Sequence, residues 1–311
     1  MSTSSISGIE NNMMYYRQKI LLALIEKFGG RMFPISLQKT LFLFTREQAR
    51  DCRAYSFVPY KYGCFSFNAN HDISILEKYG YLNNIDKEIV LSAPGNYGFE
   101  LNLFDSGILQ SIYDKYKDFS DNDLIDYTYK MFPYYAINSE IAYKHLNAEQ
   151  LEMVRQKDHR NTYTNHTLFT IGYEGRSLEE YLNRLLIFGV RTLCDVRKNA
   201  YSQKYGFSKV QLQPACEGVG IKYIHIPELG IESDQRQALY SQADYDLLFE
   251  NYRKTVLARN DEQLERIVKL IDKDERVALT CFEKNVNQCH RTQIARKIMR
   301  KTDITFDFKE I

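Results

Sequence analysis

The sequence predicts an α/β protein: a mostly parallel sheet with helices on both faces, preceded by a mainly α winged-helix-like domain. Three observations predict this. The length of 311 residues, at about 150 residues per domain, allows about two domains. After residue 166, short apolar runs alternate with helical stretches, the order of a parallel sheet covered by helices. Before it, three helical stretches end in a pair of short strand-like runs, the outline of a winged helix-turn-helix.

In the first part, Ile20, Leu21, Leu24, Ile25 and Phe28 recur at helical spacing and stop at Gly29-Gly30. Ser36 is the expected cap of a second helix, with Leu37, Leu41, Phe42 and Phe44 on its apolar side. A third helix is expected over Asn68–Tyr79, ending at Gly80. Strands are expected at Glu88–Ser92 and Tyr97–Leu103 around the turn Ala93-Pro94-Gly95-Asn96. Two more helices follow near 104–117 and 121–131. The domain is placed at 12–135 and a linker at 136–166, whose 145–166 part is polar. The α/β domain takes 167–311. Its strands are expected at Leu168–Gly172, Thr192–Val196, Lys222–Ile226 and Arg276–Thr280. Helices are expected at 178–188, 209–217, 244–259, 262–271 and 291–300, the first capped by Ser177.

Hydrophobic residues make up 44% and charged residues 26%, which excludes a wholly disordered or collagen-like chain. The net charge of +1 leaves any electrostatic argument regional. The six cysteines are scattered, and no apolar run approaches the roughly 20 residues of a membrane span. The Ser-rich Met1–Glu10 lacks a cleavable leader pattern. A reduced, cytoplasmic protein without a membrane partner is expected, of undetermined oligomeric state.

Parallel sheets bind ligands at the carboxyl ends of their strands. All four expected ends carry ionisable residues. Tyr173, Glu174 and Arg176 follow the first. Asp195, Arg197, Ser202 and Lys204 lie at or after the second, and His225 and Glu228 at or after the third. Cys281, Glu283, Cys289, His290 and Arg291 follow the fourth. The helix start at His290-Arg291 suits an anion, and its field would activate a thiol. The expected catalytic set is Asp195, Glu283, Cys281, Tyr173 and Glu174. The expected substrate- or phosphate-binding set is Arg197, Ser202, Lys204, Cys289, His290 and Arg291. An ion pair of Arg291 with Asp195 is the competing structural role. A phosphatase loop would need Arg six positions after Cys281, where Asn287 stands. Zinc on Cys281, Cys289 and His290, with Cys194 as a fourth ligand, lacks the usual paired spacing, so neither metal nor cofactor is expected.

From Arg31 to Lys61 there are six bases against Glu47 and Asp51, whereas the 106–126 stretch is acidic. Arg46, Arg50, Arg53, Tyr60, Lys61 and Tyr62 are the expected nucleic-acid contacts, DNA being the favoured partner. The alternative for the run Phe57–Ser66 is that its aromatics plug the small domain's core.

Two resemblances add to this reading. From Thr170-Ile-Gly172 through Cys194-Asp195-Val196-Arg197 to Cys281-Phe-Glu283 and Cys289-His290-Arg291, the second part resembles the domain of unknown function 488 family. The resemblance implies an α/β fold with a rim site and carries no settled chemistry. Residues 17–103 resemble winged-helix-like domains with a Pro-Tyr-x-Tyr-Gly-Pro-Phe-Ser signature, written here as Pro59-Tyr-Lys-Tyr-Gly63-Cys64-Phe-Ser66. That resemblance implies a bacterial regulatory, toxin–antitoxin or defence setting. The expected function is a nucleic-acid-associated enzyme, a hydrolase or glycosylase acting on DNA, RNA or a modified nucleotide. The alternatives are a ligand-sensing DNA-binding regulator and a cysteine-dependent enzyme.

Overall fold

The computed structural model describes residues 14–163, 165–236, 239–301 and 305–311. The segment Met1–Glu10 lies outside them. The described strands are β1 (Arg31–Met32), β2 (Val58–Tyr60), β3 (Gly63–Phe65), β4 (Leu82–Ile85), β5 (Glu88–Leu91), β6 (Thr167–Gly172), β7 (Thr192–Asp195), β8 (Lys222–His225), β9 (Arg276–Cys281) and β10 (Asp307–Glu310). The chain forms two compact units, residues 1–56 with 68–124, and residues 57–67 with 125–311.

The first unit packs the helices Tyr16–Lys27, Pro34–Glu47 and Leu103–Tyr116, with the helix ending at Lys78, on an antiparallel sheet ordered β1-β5-β4. Ile20, Leu24, Leu41, Phe44, Leu76 and Ile112 are among its buried residues. The expected hairpin is present one strand earlier than its sequence position. Its turn is Asp86-Lys87, with φ of 53° and 69°, the left-handed pair that a two-residue hairpin turn requires. Tyr97–Glu100 is a 3-10 turn, because Asn102 accepts from the Asp105 amide at 2.8 Å and starts a helix where a strand was expected.

In the second unit the sheet order is β10-β6-β9-β7-β8, every pairing parallel. Side chains alternate across it. Phe169, Ile171, Leu193 and Ala278 join one core with Tyr181, Leu182 and Leu185 of the helix Leu178–Ile187. Leu168, Cys194, Val277 and Leu279 join the other with Phe249, Ile267, Ile271, Ile294 and Ile298. Ser177 caps its helix through a reciprocal bond with Glu180. The sheet is thus covered on both faces, as the alternation of elements predicts.

The segment 57–67 belongs to this second unit. Its β2–β3 hairpin buries Val58 in the first of these cores and packs Tyr60 and Phe67 against it. Tyr60 stacks on Phe65 at 5.1 Å and lies where a Cβ on Gly218 would fall. Asn183 Nδ2 donates to the Phe57 carbonyl at 2.7 Å, and Ser66 Oγ to Glu179 Oε1 at 3.2 Å. Tyr60 and Phe67 therefore pack on a core, in the α/β unit and not the small domain, while Tyr62 is exposed. The stretch placed as a linker holds the helices Ala142–His145 and Ala148–Gln156. It is tied to the same unit by Arg160, which donates to the Val219 carbonyl at 2.8 Å. Tyr60→Ala is expected to destabilise the second unit by about 2–3 kcal/mol, since it removes a half-buried ring and leaves a cavity. Urea unfolding followed by circular dichroism checks this.

Candidate active site

The register sets Gly172 beside Cys281 and Asp195 beside both Thr280 and His225, so these residues share one rim of the sheet. The chain after β9 then crosses directly over the end of β6. Glu174 N donates to the Phe282 carbonyl at 2.9 Å, and the Glu174 carboxylate accepts from the Lys284 amide at 2.9 Å. A Cβ at residue 172 would land on the Glu283 carbonyl oxygen, so only glycine allows this crossing. Gly172→Ala is expected to displace Glu283 and to cost about 1–3 kcal/mol, as overpacking does. A thermal or urea melt reads the cost.

Asp195 is fully buried. Its Oδ1 accepts from the Arg197 amide at 3.1 Å and from Nε at 2.8 Å. Its Oδ2 accepts from Arg197 Nη2 at 2.5 Å and from the Tyr223 hydroxyl at 2.6 Å. Both oxygens are committed, so Asp195 has no lone pair directed at a substrate. Its action is to fix Arg197. Arg197 Nη1 donates to the Tyr173 hydroxyl and to the Phe207 carbonyl, at 2.8 and 2.9 Å. Tyr173 stacks on Phe207 at 4.3 Å, and burial raises its hydroxyl pKa. Lys204 Nζ donates to the Tyr173 carbonyl at 3.1 Å, and Ser202 Oγ accepts from the Lys204 amide at 3.1 Å.

The second cluster is built around sulfur. Cys281 Sγ lies 3.1 Å from Glu283 Oε2 and 3.6 Å from His290 Nδ1. Arg236 Nη2 lies 3.8 Å from the same sulfur and 2.7 Å from His290 Nδ1. Arg236 Nη1 pairs with Glu283 Oε1. A guanidinium only donates, so His290 Nδ1 accepts and the ring proton sits on Nε2, which donates to the Val196 carbonyl at 2.8 Å. Burial works against ionising Cys281. The Cys289 thiol donating to it, then the adjoining His290, then the Arg236 charge outweigh burial and hold it well below the ordinary thiol value of 9.0. Burial and the hydrogen bond to this sulfur push Cys289 well above that value. Burial, followed by the negative sulfur, also raises Glu283, with Arg236 opposing.

Cys281, Cys289 and His290 place their ligand atoms within 4.8 Å of one another, so these three could face a soft metal. Arg236 Nη2 lies within 3.8 Å of Sγ and 2.7 Å of Nδ1, so it would have to withdraw before an ion took both atoms.

A cavity of about 360 Å³ opens over these groups. Cys281, Arg236, Arg197, Tyr173, Ser202, Lys204, Lys198, Tyr201 and Phe282 are among its lining residues. The lining holds four cations and no carboxylate among the described residues. Of the expected site residues, the structure brings Tyr173, Arg197, Ser202, Lys204 and Cys281 to this cavity, with Glu283 on the sulfur. Cys289 and His290 stand behind it, buried. Arg291 is also buried and turns the other way. It donates to the Glu283 carbonyl at 2.5 Å and pairs with Glu310 of β10 at 2.7 Å. Its partner is therefore Glu310, while Asp195 pairs with Arg197. Glu174 is exposed and holds a loop.

Arg236, Tyr223, Lys198 and Glu310 were missed from sequence. Arg236 stands in a polar stretch without periodicity, and only its position beyond the end of β8 could have singled it out. The six expected nucleic-acid contacts divide between the units. Arg46 and Arg50, both exposed, and the half-buried Arg53 lie in the first, and Tyr60, Lys61 and Tyr62 lie in the second. Lys61 faces Glu140 at 3.8 Å.

Residues 177–298, which contain β7 to β9 and most of the residues just described, match the family model "Domain of unknown function DUF488". No curated protein and no solved structure matches the chain. No helix among the described residues is long and apolar enough to cross a membrane.

Proposed function

We propose that the DUF488-matching unit is a cysteine-dependent hydrolytic enzyme whose nucleophile is Cys281. One observation carries the reading: the Cys281 sulfur lines a cavity with four cations around it and a carboxyl group 3.1 Å away, neighbours that suit a thiolate. Arg197, Lys198 and Lys204 suit a phosphate-bearing substrate. Tyr173, Tyr201 and Phe282 supply rings for a flat group, so a nucleotide or modified nucleotide fits the chemistry.

In the first step the Cys281 thiolate donates an electron pair to an electrophilic atom of the substrate. The leaving group departs with its bonding pair and takes a proton from Glu283, the carboxyl group 3.1 Å from the sulfur. Water then attacks the adduct, Glu283 recovers a proton from it, and the thiolate leaves. Asp195 positions Arg197 and exchanges no proton. The first unit, whose order of helices and hairpin suits a winged-helix module, would bring the chain to nucleic acid. Six free thiols suit a reducing compartment such as the cytoplasm.

The test is alkylation with iodoacetamide across pH, with the modified residue mapped by mass spectrometry. Cys281 is expected to be the first residue modified at neutral pH, and phosphate-bearing ligands are expected to protect it. Cys281→Ser removes the fast phase, whereas Cys289→Ser retains it. Fast labelling that maps elsewhere defeats the proposal. A ligand that protects but is never turned over would mark a sensor instead.

A further inference from the structure

The helix Arg291–Lys301 has a second face that the thiol chemistry does not use. Ile294, Ala295 and Ile298 bury one side in the sheet's core. Arg296, Lys297, Arg300 and Lys301 follow at i, i+1, i+4 and i+5, so they share the opposite side over one turn. Together with Arg253 they line a cleft of about 610 Å³, which shares no lining residue with the thiol cavity. Asp261 is the only carboxylate in its lining among the described residues. It is held by Lys297 at 3.2 Å and Lys301 at 3.1 Å. Arg253 donates to Gln293 at 2.9 Å. Arg296 and Arg300 are exposed, and no described carboxylate pairs with either.

We propose that this cleft binds the phosphodiester backbone of nucleic acid without reading its sequence. Like charges one turn apart repel, and a bound polyanion relieves that repulsion. Four residues of helix advance about 6 Å, within reach of successive phosphates, which recur about every 3.4 Å of axis along one strand. The lining has no aromatic ring on which a base could stack, so the recognition falls on phosphate. The inference stands without the thiol reading and gives the α/β unit its own means of holding a polymeric substrate.

The experiment is fluorescence anisotropy of the full chain with short single-stranded and duplex oligonucleotides of scrambled sequence, over a salt series. Binding should be independent of sequence and should weaken steeply with salt. The double variant Arg296→Glu, Arg300→Glu should bind at least about tenfold more weakly, and its salt slope should be shallower by about 0.7–0.9 for each phosphate it no longer neutralises. Its circular dichroism and Cys281 alkylation should match those of the parent. Unchanged oligonucleotide affinity in that variant overturns the proposal, as does a parent that binds no oligonucleotide at low salt. Saturable binding of tripolyphosphate without any oligonucleotide binding overturns it too. Cys281→Ser should leave oligonucleotide binding intact, which separates this site from the thiol site.

Discussion

Replacing Asp195 by alanine is expected to destabilise the second unit by about 3–5 kcal/mol, the range for breaking a buried ion pair from one side. Asp195 and Arg197 are 0% and 6% exposed at the side chain, so water offers little compensation for a lost partner. Loss of the carboxylate strands the Arg197 charge and the Tyr223 hydroxyl together. Asp195→Asn keeps the shape and one acceptor oxygen, and should cost less. Urea unfolding reads the difference, with hydrogen exchange along β7 and β8 localising it to the second unit. A cost below about 1 kcal/mol for the alanine variant is what an exposed pair would give, and it would contradict the positioning role assigned to Asp195.

The second large effect is on reactivity. Arg236→Gln removes the guanidinium charge 3.8 Å from Cys281 Sγ while keeping a side chain that can donate hydrogen bonds. The sign follows from the charge. A thiolate is favoured by a neighbouring cation, so removing the cation raises the thiol's pKa and moves the alkylation profile to higher pH. At neutral pH the rate should fall on the order of tenfold. Burial, which opposes ionisation of Cys281, is then less well compensated. Arg236→Lys should recover part of the rate, because it restores a charge without the planar fork. A neutral-pH rate unchanged in Arg236→Gln would mean that the sulfur's ionisation is set elsewhere.

The strands of the central sheet were legible because each is a short apolar run closed by a turn residue. β6, β7, β8 and β9 fall within a residue or so of their expected positions. β10 was not legible. Asp307-Phe308-Lys309-Glu310 is polar and exposed, and nothing local distinguishes an edge strand from a tail. The hairpin in the first unit was misplaced because Pro94-Gly95-Asn96 is the louder turn signal, while Asp86-Lys87 adopts the left-handed pair without a glycine.

At the site, the run from Cys281 to Arg291 announced a cluster, and Cys281, Glu283, Cys289 and His290 do converge. Which acid pairs with which arginine was not readable. It depends on side-chain directions across strands, and Asp195 meets Arg197 two residues away while Arg291 reaches forward to Glu310. The aromatic run Phe57–Ser66 stood open between a surface and a plug for the small domain's core, because Gly218, against which Tyr60 packs, lies far along the chain. Only the close approach of the two explains why Tyr60 is packed.

The central claim is that Cys281 rests as a thiolate beneath the cavity. Ultraviolet absorbance of the thiolate, titrated over pH in the parent, in Cys281→Ser and in Cys289→Ser, measures it directly. The account predicts a signal in the parent that titrates well below the ordinary thiol value of 9.0, is absent in Cys281→Ser and persists in Cys289→Ser. Superimposable titrations of the parent and Cys281→Ser, with no thiolate below that value, would contradict it.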